Sequence, residues 1–160
     1  MSAIVEHAQS MLAYNHWANG KILEAAAGLS ADTFKPVSET LAHTVGTQLY
    51  WAANWRGDEF VEPTGELSFG EIKSLFEGST KELDAFSAGL TDAEWERSEA
   101  WWARFGIDAK APVGMTLFQV VYHGIQHRAK VAITLTEHDR SPSDLDYLMF
   151  LRESGGAIQI

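Results

Sequence analysis

The 160-residue chain contains no cysteine. That excludes disulfides, thiolate metal sites and a cysteine nucleophile, and fits a reducing compartment; any thiol chemistry would need a thiol from outside. Basic residues are scarce too, 12 Lys and Arg against 22 Asp and Glu, for a formal charge of −10. They are scattered, with no run able to neutralise successive phosphates, so nucleic acid is not an expected partner. No apolar run approaches the roughly 18 residues of a membrane span. The first residues carry Glu6 and His7 where a secretory leader would be basic and then apolar. The expectation is a cytoplasmic protein that does not enter membranes.

What is present is enough apolar surface to fold. Hydrophobic residues make up 46% of the chain, with six tryptophans, and a chain of this length fits a single domain over residues 1–160. No internal repeat or interdomain linker interrupts it.

Apolar periodicity predicts helices nearly throughout. Ile4, Ala8, Met11, Ala18, Ile22 and Ala25 recur at three- and four-residue steps, so a first helix runs to about Ala27, with Gly28 as its stop. Asn15 falls inside that stripe, with Tyr14 and Trp17 beside it, and a buried amide needs partners. Residues 29–36 read as a turn. A second helix is predicted from about Ser38 to Arg56, apolar nearly all round, which marks it as central or as packed in a dimer. Residues 56–67 read as a loop, after which Ser68 and Glu71 have capping-box spacing and open a third helix. Thr91 and Glu94 are placed to cap one short turn. Between about Arg97 and Gly114 no period holds, and a functional or covering loop with a short β-ribbon is expected. Thr116 and Gln119 suggest a second capping box opening a fourth helix to about Glu137, and residues 141–144 a cap for a short last helix.

Two histidines of the fourth helix, His123 and His127, stand four residues apart, about one turn, so both can reach one metal ion from the same face. Such a pair also arises by chance. Val120, Val131 and Thr134 share its strip, next to the apolar stripe, which directs the imidazoles toward the interior, where they need partners. His43 lies in the first half of the second helix, with Gly46 and Tyr50 following it. A lone core histidine is ordinarily just hydrogen-bonded, but facing helices can project several ligands together. His7, His16 and His138 read as solvated.

Taken in order, Tyr14-Asn-His-Trp-Ala-Asn19, Leu41-Ala-His-Thr-Val-Gly46 and His123-Gly-Ile-Gln-His-Arg128 resemble the DinB (YfiT-like) proteins, and the likeness runs the length of the chain. The resemblance implies an all-α four-helix bundle with a long crossover connection plus a short C-terminal helix, often a homodimer. It also implies one divalent metal ion, held by one histidine of helix two and two of helix four, which match His43, His123 and His127. Activities in such a family vary and include transferases and isomerases that use a low-molecular-weight thiol, so membership implies the site without the substrate.

Three neutral nitrogen ligands leave positions open for water or a thiol, whose pKa the cation would lower. The catalytic group would then be that water or thiol rather than a side chain. A metal-dependent, thiol-using transferase or isomerase acting on a small electrophilic substrate is the leading expectation. A metal-dependent hydrolase, for which no general base stands out, and a non-catalytic metal-binding homodimer are the alternatives. Zinc and nickel suit the donor set best. Pocket candidates are Tyr14, Asn15, Trp17, Tyr50, Trp102 and Arg128. Trp101, Arg104 and Phe105 could cover the pocket from the long loop. Arg128 would bind an anionic group or make a surface salt bridge, and Glu39, one turn before His43, could orient that histidine.

Overall fold

Side-chain caps set three of the six helix starts in the computed structural model, which describes residues 2–101 and 109–155. Eight elements follow in order: α1 (Ala3–Ala26), α2 (Ala31–Arg56), α3 (Phe69–Ala88), α4 (Asp92–Glu96), β1 (Ser98–Trp101), β2 (Ala109–Pro112), α5 (Val113–Glu137) and α6 (Tyr147–Glu153). The fold is mostly helical with one small two-stranded sheet, as expected. Ser68 and Glu71 form the complete reciprocal capping box, and Thr91 accepts from the Glu94 amide. Gly28 takes a left-handed φ of 80° just past α1, a conformation that disfavours side chains other than glycine.

Three boundaries differ from the sequence expectation. Helix α2 starts at Ala31, not near Ser38, because Ser30 caps it by accepting from the Thr33 amide at 3.2 Å. Pro36 sits in its second turn. The bond a proline cannot donate there would go to the carbonyl of Asp32, an exposed residue that water can satisfy. Helix α5 starts at Val113, so Thr116 is no cap. Its hydroxyl donates back to the Val113 carbonyl at 2.9 Å and accepts from Trp55 Nε1 at 2.8 Å. Residues 141–144 do not cap α6 either; its N-cap is Asp146, without a side-chain bond.

Cross-contacts fix the directions of the four long helices. Along α2 and α3 the pairs ascend together: Phe34 against Phe69, Gln48 accepting from Ser79, Trp55 stacked on Phe86. These neighbours are therefore parallel. Helices α1 and α5 are also parallel, with His7 near Phe118, Asn15 bonded to Arg128, and Arg140 bonded to the Ala25 carbonyl. Helix α1 packs against α5 and α3, and α2 packs against the same two. The cyclic order is thus α1, α5, α2, α3.

Parallel neighbours require a long return. Residues 57–68 must carry the chain from Arg56 back to Phe69 beside Phe34, roughly 33 Å of helix length. The thirteen steps from Arg56 to Phe69 reach at most about 43–47 Å when extended, so the segment has limited slack, passing Phe60 over Tyr50, Pro63 beside Gly46, and Glu66 to Lys35. Residues 57–68 are therefore a crossover from one end of α2 back to the level of its start.

The core forms two clusters. One gathers Val5, Leu12, Leu83, Leu117 and Val121; the other gathers Ile22, Leu41, Ile72 and Leu135. Each such side chain contributes about 1.5–3 kcal/mol by leaving water. On α1 the buried stripe is Val5, Ala8, Leu12, Asn15, Ala18, Ile22 and Ala26. Ile4, expected inside, is 48% exposed because Val5 occupies the inward position.

The irregular stretch before α5 holds the expected ribbon, with antiparallel register from Ser98 opposite Pro112 to Trp101 opposite Ala109. Arg97 anchors its base by donating to the Trp55 carbonyl at 2.8 Å, and Asn54 donates to the Ala100 carbonyl. Gly114 lets α4 approach α5, since a Cβ there would lie 2.2 Å from the Trp95 ring.

Candidate metal centre

Helices α2 and α5 are antiparallel neighbours, so a histidine in the first half of α2 comes level with the middle of α5. His43, His123 and His127 meet there, with one ring nitrogen from each lying within 4.8 Å of the other two. The ring centroids lie 4.2–4.9 Å apart. His43 Nε2 and His123 Nε2 face each other at 3.1 Å, although two neutral imidazoles can share only one proton in such a contact. Nitrogens bound to one zinc ion at about 2.0–2.1 Å in a tetrahedron would stand about 3.3 Å apart. The spacing therefore fits three ligands of one ion after small side-chain rotations. His127 Nδ1, buried with no hydrogen-bond partner, adds to the fit.

The trio differs from expectation in depth. It lies at a solvent-facing seam, His43 exposed and His123 and His127 half-buried, rather than deep inside the helices. Among the described residues no carboxylate joins the group, and Glu39 makes no hydrogen bond to His43, so the suggested orienting contact is absent.

Burial first, then the neighbouring imidazoles and Lys130, lower the pKa of His123 to about 4; burial also lowers that of His127. Both rings are thus held neutral, the form that binds a metal. An unfolded chain takes up protons near pH 6.5 that the folded cluster refuses. Stability of the metal-free protein should be complete above that pH and fall as acid is added, the His123 contribution being exhausted near pH 4. Urea midpoints measured across this range should drop less for His123→Gln than for the parent.

The sequence over residues 1–157 matches the DinB family. The protein belongs to the DinB family. No curated protein matches this DinB chain closely enough to count as a relative.

Around the DinB trio, the pocket candidates divide. Tyr50 lies on α2 two turns beyond His43, with Phe60 of the crossover against it at 5.6 Å. Tyr14 and Trp17 instead face α6. Tyr14 donates to the Leu145 carbonyl at 2.9 Å and packs edge-on against Tyr147 and Phe150, while Trp17 donates to Glu153. Trp102, Arg104 and Phe105 lie outside the described residues.

Arg128 corrects one of its two sequence readings. It is only 3% exposed, so it makes no surface salt bridge. Its Nη1 donates to Asn15 Oδ1 at 2.6 Å and Asn19 Oδ1 at 2.8 Å, and the guanidinium lies over the Tyr14 ring. Among the described residues no carboxylate touches it. Desolvation lowers its pKa to about 10, which leaves it charged at neutral pH. Gly124 makes room, since a Cβ there would lie 2.6 Å from Asn15 Oδ1 and 2.7 Å from Arg128 Nη1.

Sequence reasoning found Asn15 and missed Asn19, one turn further along the same helix. It also read His16 as solvated, whereas His16 is largely buried, 3.3 Å from Thr80 Oγ1 and 3.1 Å from Asp84. The available signal was a polar run, Asn15, His16 and Asn19, within one turn of an otherwise apolar stripe.

Proposed function

We propose that this chain is a single-domain four-helix bundle of the DinB type that holds one divalent metal ion through His43, His123 and His127 and works as a metal-dependent enzyme. The observation that carries the reading is the convergence of three imidazoles from two helices at a seam open to solvent. When bound, zinc or nickel would supply Lewis acidity, making a coordinated thiol or water a nucleophile near neutral pH.

The chain itself contributes ligand placement and access. Packing of α2 on α5 sets the distance between His43 and the α5 pair, and exposure of His43 leaves a side from which a small molecule can approach. With no cysteine, a thiol co-substrate would come from solution, and transfer or isomerisation at an electrophilic carbon is the favoured reaction class. Hydrolysis ranks below it, because among the described residues no carboxylate adjoins the trio to act as a general base. The non-catalytic reading draws support from the trio's bridging of α2 and α5, which would let a metal clamp the two helices together. Screening metal-loaded protein with low-molecular-weight thiols against electrophiles separates the two: turnover abolished by His127→Ala supports the enzyme, and no turnover with any pair leaves the clamp.

A cytoplasmic homodimer is part of the proposal. No described helix is long and apolar enough to cross a membrane, and the net charge of −10 disfavours nucleic acid. The dimer argument moves from α2, whose apolar faces are used up within the chain, to α5. There Tyr122, Ile125 and Ile133, 58%, 40% and 63% exposed, form a stripe beside the histidines. Light scattering at micromolar concentration should give twice the chain mass for the parent and the single mass for Ile133→Glu; a monomeric parent would remove the dimer.

A further inference from the structure

The seam opposite the histidines is also open. In the cyclic order of the helices, α1 and α3 meet across from the pairing of α2 with α5 and make fewer contacts than it does. Between them lies a groove of about 600 Å³, well within the size range of small-molecule sites. Leu23, Ala27, Phe69 and Phe76 line one end, and His16, Asn19 and Thr80 the other. From His16 to Ala27 the α1 wall measures roughly 16 Å.

The polar end contains an unanswered donor. Asn19 is 5% exposed and lines the groove. A guanidinium can only donate, so the Asn19 atom facing Arg128 must be the carbonyl oxygen. That fixes the amide, and its Nδ2 is buried with no acceptor. Behind it, Arg128 has no carboxylate partner, and its own Nη2 is also without an acceptor. Lys81, on the groove rim beside Thr80, forms no ion pair among the described residues. Asp84 is the acidic group at this end, and it faces His16. Lys73 and Glu77 offset each other at 3.9 Å, and Glu24 stands further along the wall, toward the apolar end. The polar end therefore has an excess of positive charge and an unpaired amide donor just beneath its surface, and the other end is apolar.

We propose that the groove between α1 and α3 is a second binding site, separate from the histidine trio, for an elongated apolar molecule ending in a carboxylate. The carboxylate is drawn by Arg128 and Lys81 and sits above the unpaired Asn19 Nδ2, and the chain lies along Leu23, Phe69 and Phe76. Recognition of this kind needs no metal and no exchange of bonds.

Octanoate and 1-octanol, equal in chain length and different in charge, test it by calorimetry and by amide-shift mapping on the full chain. Saturable octanoate binding, at least tenfold tighter than 1-octanol and shifting the Asn19 side-chain amide, is expected. A Cβ on Gly20 meets nothing within 4 Å, so Gly20→Leu should fold, fill the groove and weaken octanoate at least tenfold. Lys81→Ala should weaken it severalfold, and His43→Ala should leave it unchanged. Absence of saturable binding would overturn the site, as would full octanoate affinity in Gly20→Leu protein that retains the parent's melting temperature. If Gly20→Leu does not fold, shifts confined to residues away from Asn19 and Thr80 overturn it instead. Equal affinity for 1-octanol would overturn the carboxylate assignment.

Discussion

Protein purified without a histidine tag should contain about one divalent metal ion per chain, and His43→Ala protein should contain almost none. His43 is the one ligand from α2, so its loss leaves two nitrogens one turn apart on α5. Even an outer-shell partner of a metal ligand is worth 10–100-fold in affinity, and loss of a direct ligand should cost on the order of 100-fold or more. Plasma mass spectrometry of parent, His43→Ala and His127→Ala reads this directly. A metal present at 100 times its dissociation constant stabilises by about 2.7 kcal/mol, so chelation should lower the melting temperature of the parent and leave that of His43→Ala unmoved. A parent that stays metal-free after reconstitution with zinc and nickel sinks the metal reading.

The second large effect is expected at Arg128. Truncation to alanine removes two charge-assisted hydrogen bonds, strands Asn15 Oδ1 and Asn19 Oδ1 in the interior, and opens space beneath Tyr14. Hydrogen bonds to charged groups contribute about 1.5–3 kcal/mol each. A loss of about 3–5 kcal/mol is expected, in line with breaking other buried ionic networks. Urea denaturation measures it, and a change under 1 kcal/mol would show that the network contributes little. Combining Arg128→Met with Asn15→Leu and Asn19→Leu should recover part of the loss, because no acceptor is then left stranded.

Those two sites show how far the sequence could be read. The meeting of His43 with His123 and His127 was legible, because ligand spacing and helix periodicity are local and the family likeness supplied the pairing. The fate of Arg128 was not. Its position one residue past His127 gave an angle round the helix, but burial depended on Gly124 admitting the guanidinium and on two asparagines of α1 receiving it. The start of α2 failed for a related reason: Pro36 reads as a breaker until the exposure of Asp32 is known. Thr116 misled because a threonine three residues before a glutamine looks the same whether it caps a helix or bonds backward within one. Depth at the histidines was hidden too, since their apolar neighbours describe the helix rather than the seam between two helices.

The parallel run of α2 and α3 gives residues 57–68 a property unusual in a surface connection. Loops ordinarily carry slack, and lengthening or shortening one by a residue or two changes little. Here the span of roughly 33 Å takes up most of the about 43–47 Å that the segment can reach. The crossover therefore behaves as a taut tether whose length is matched to α2. Insertions could bulge outward, but removing four or more residues would leave the chain too short for Phe69 to reach Phe34, and the strain would pass into the helix that presents His43.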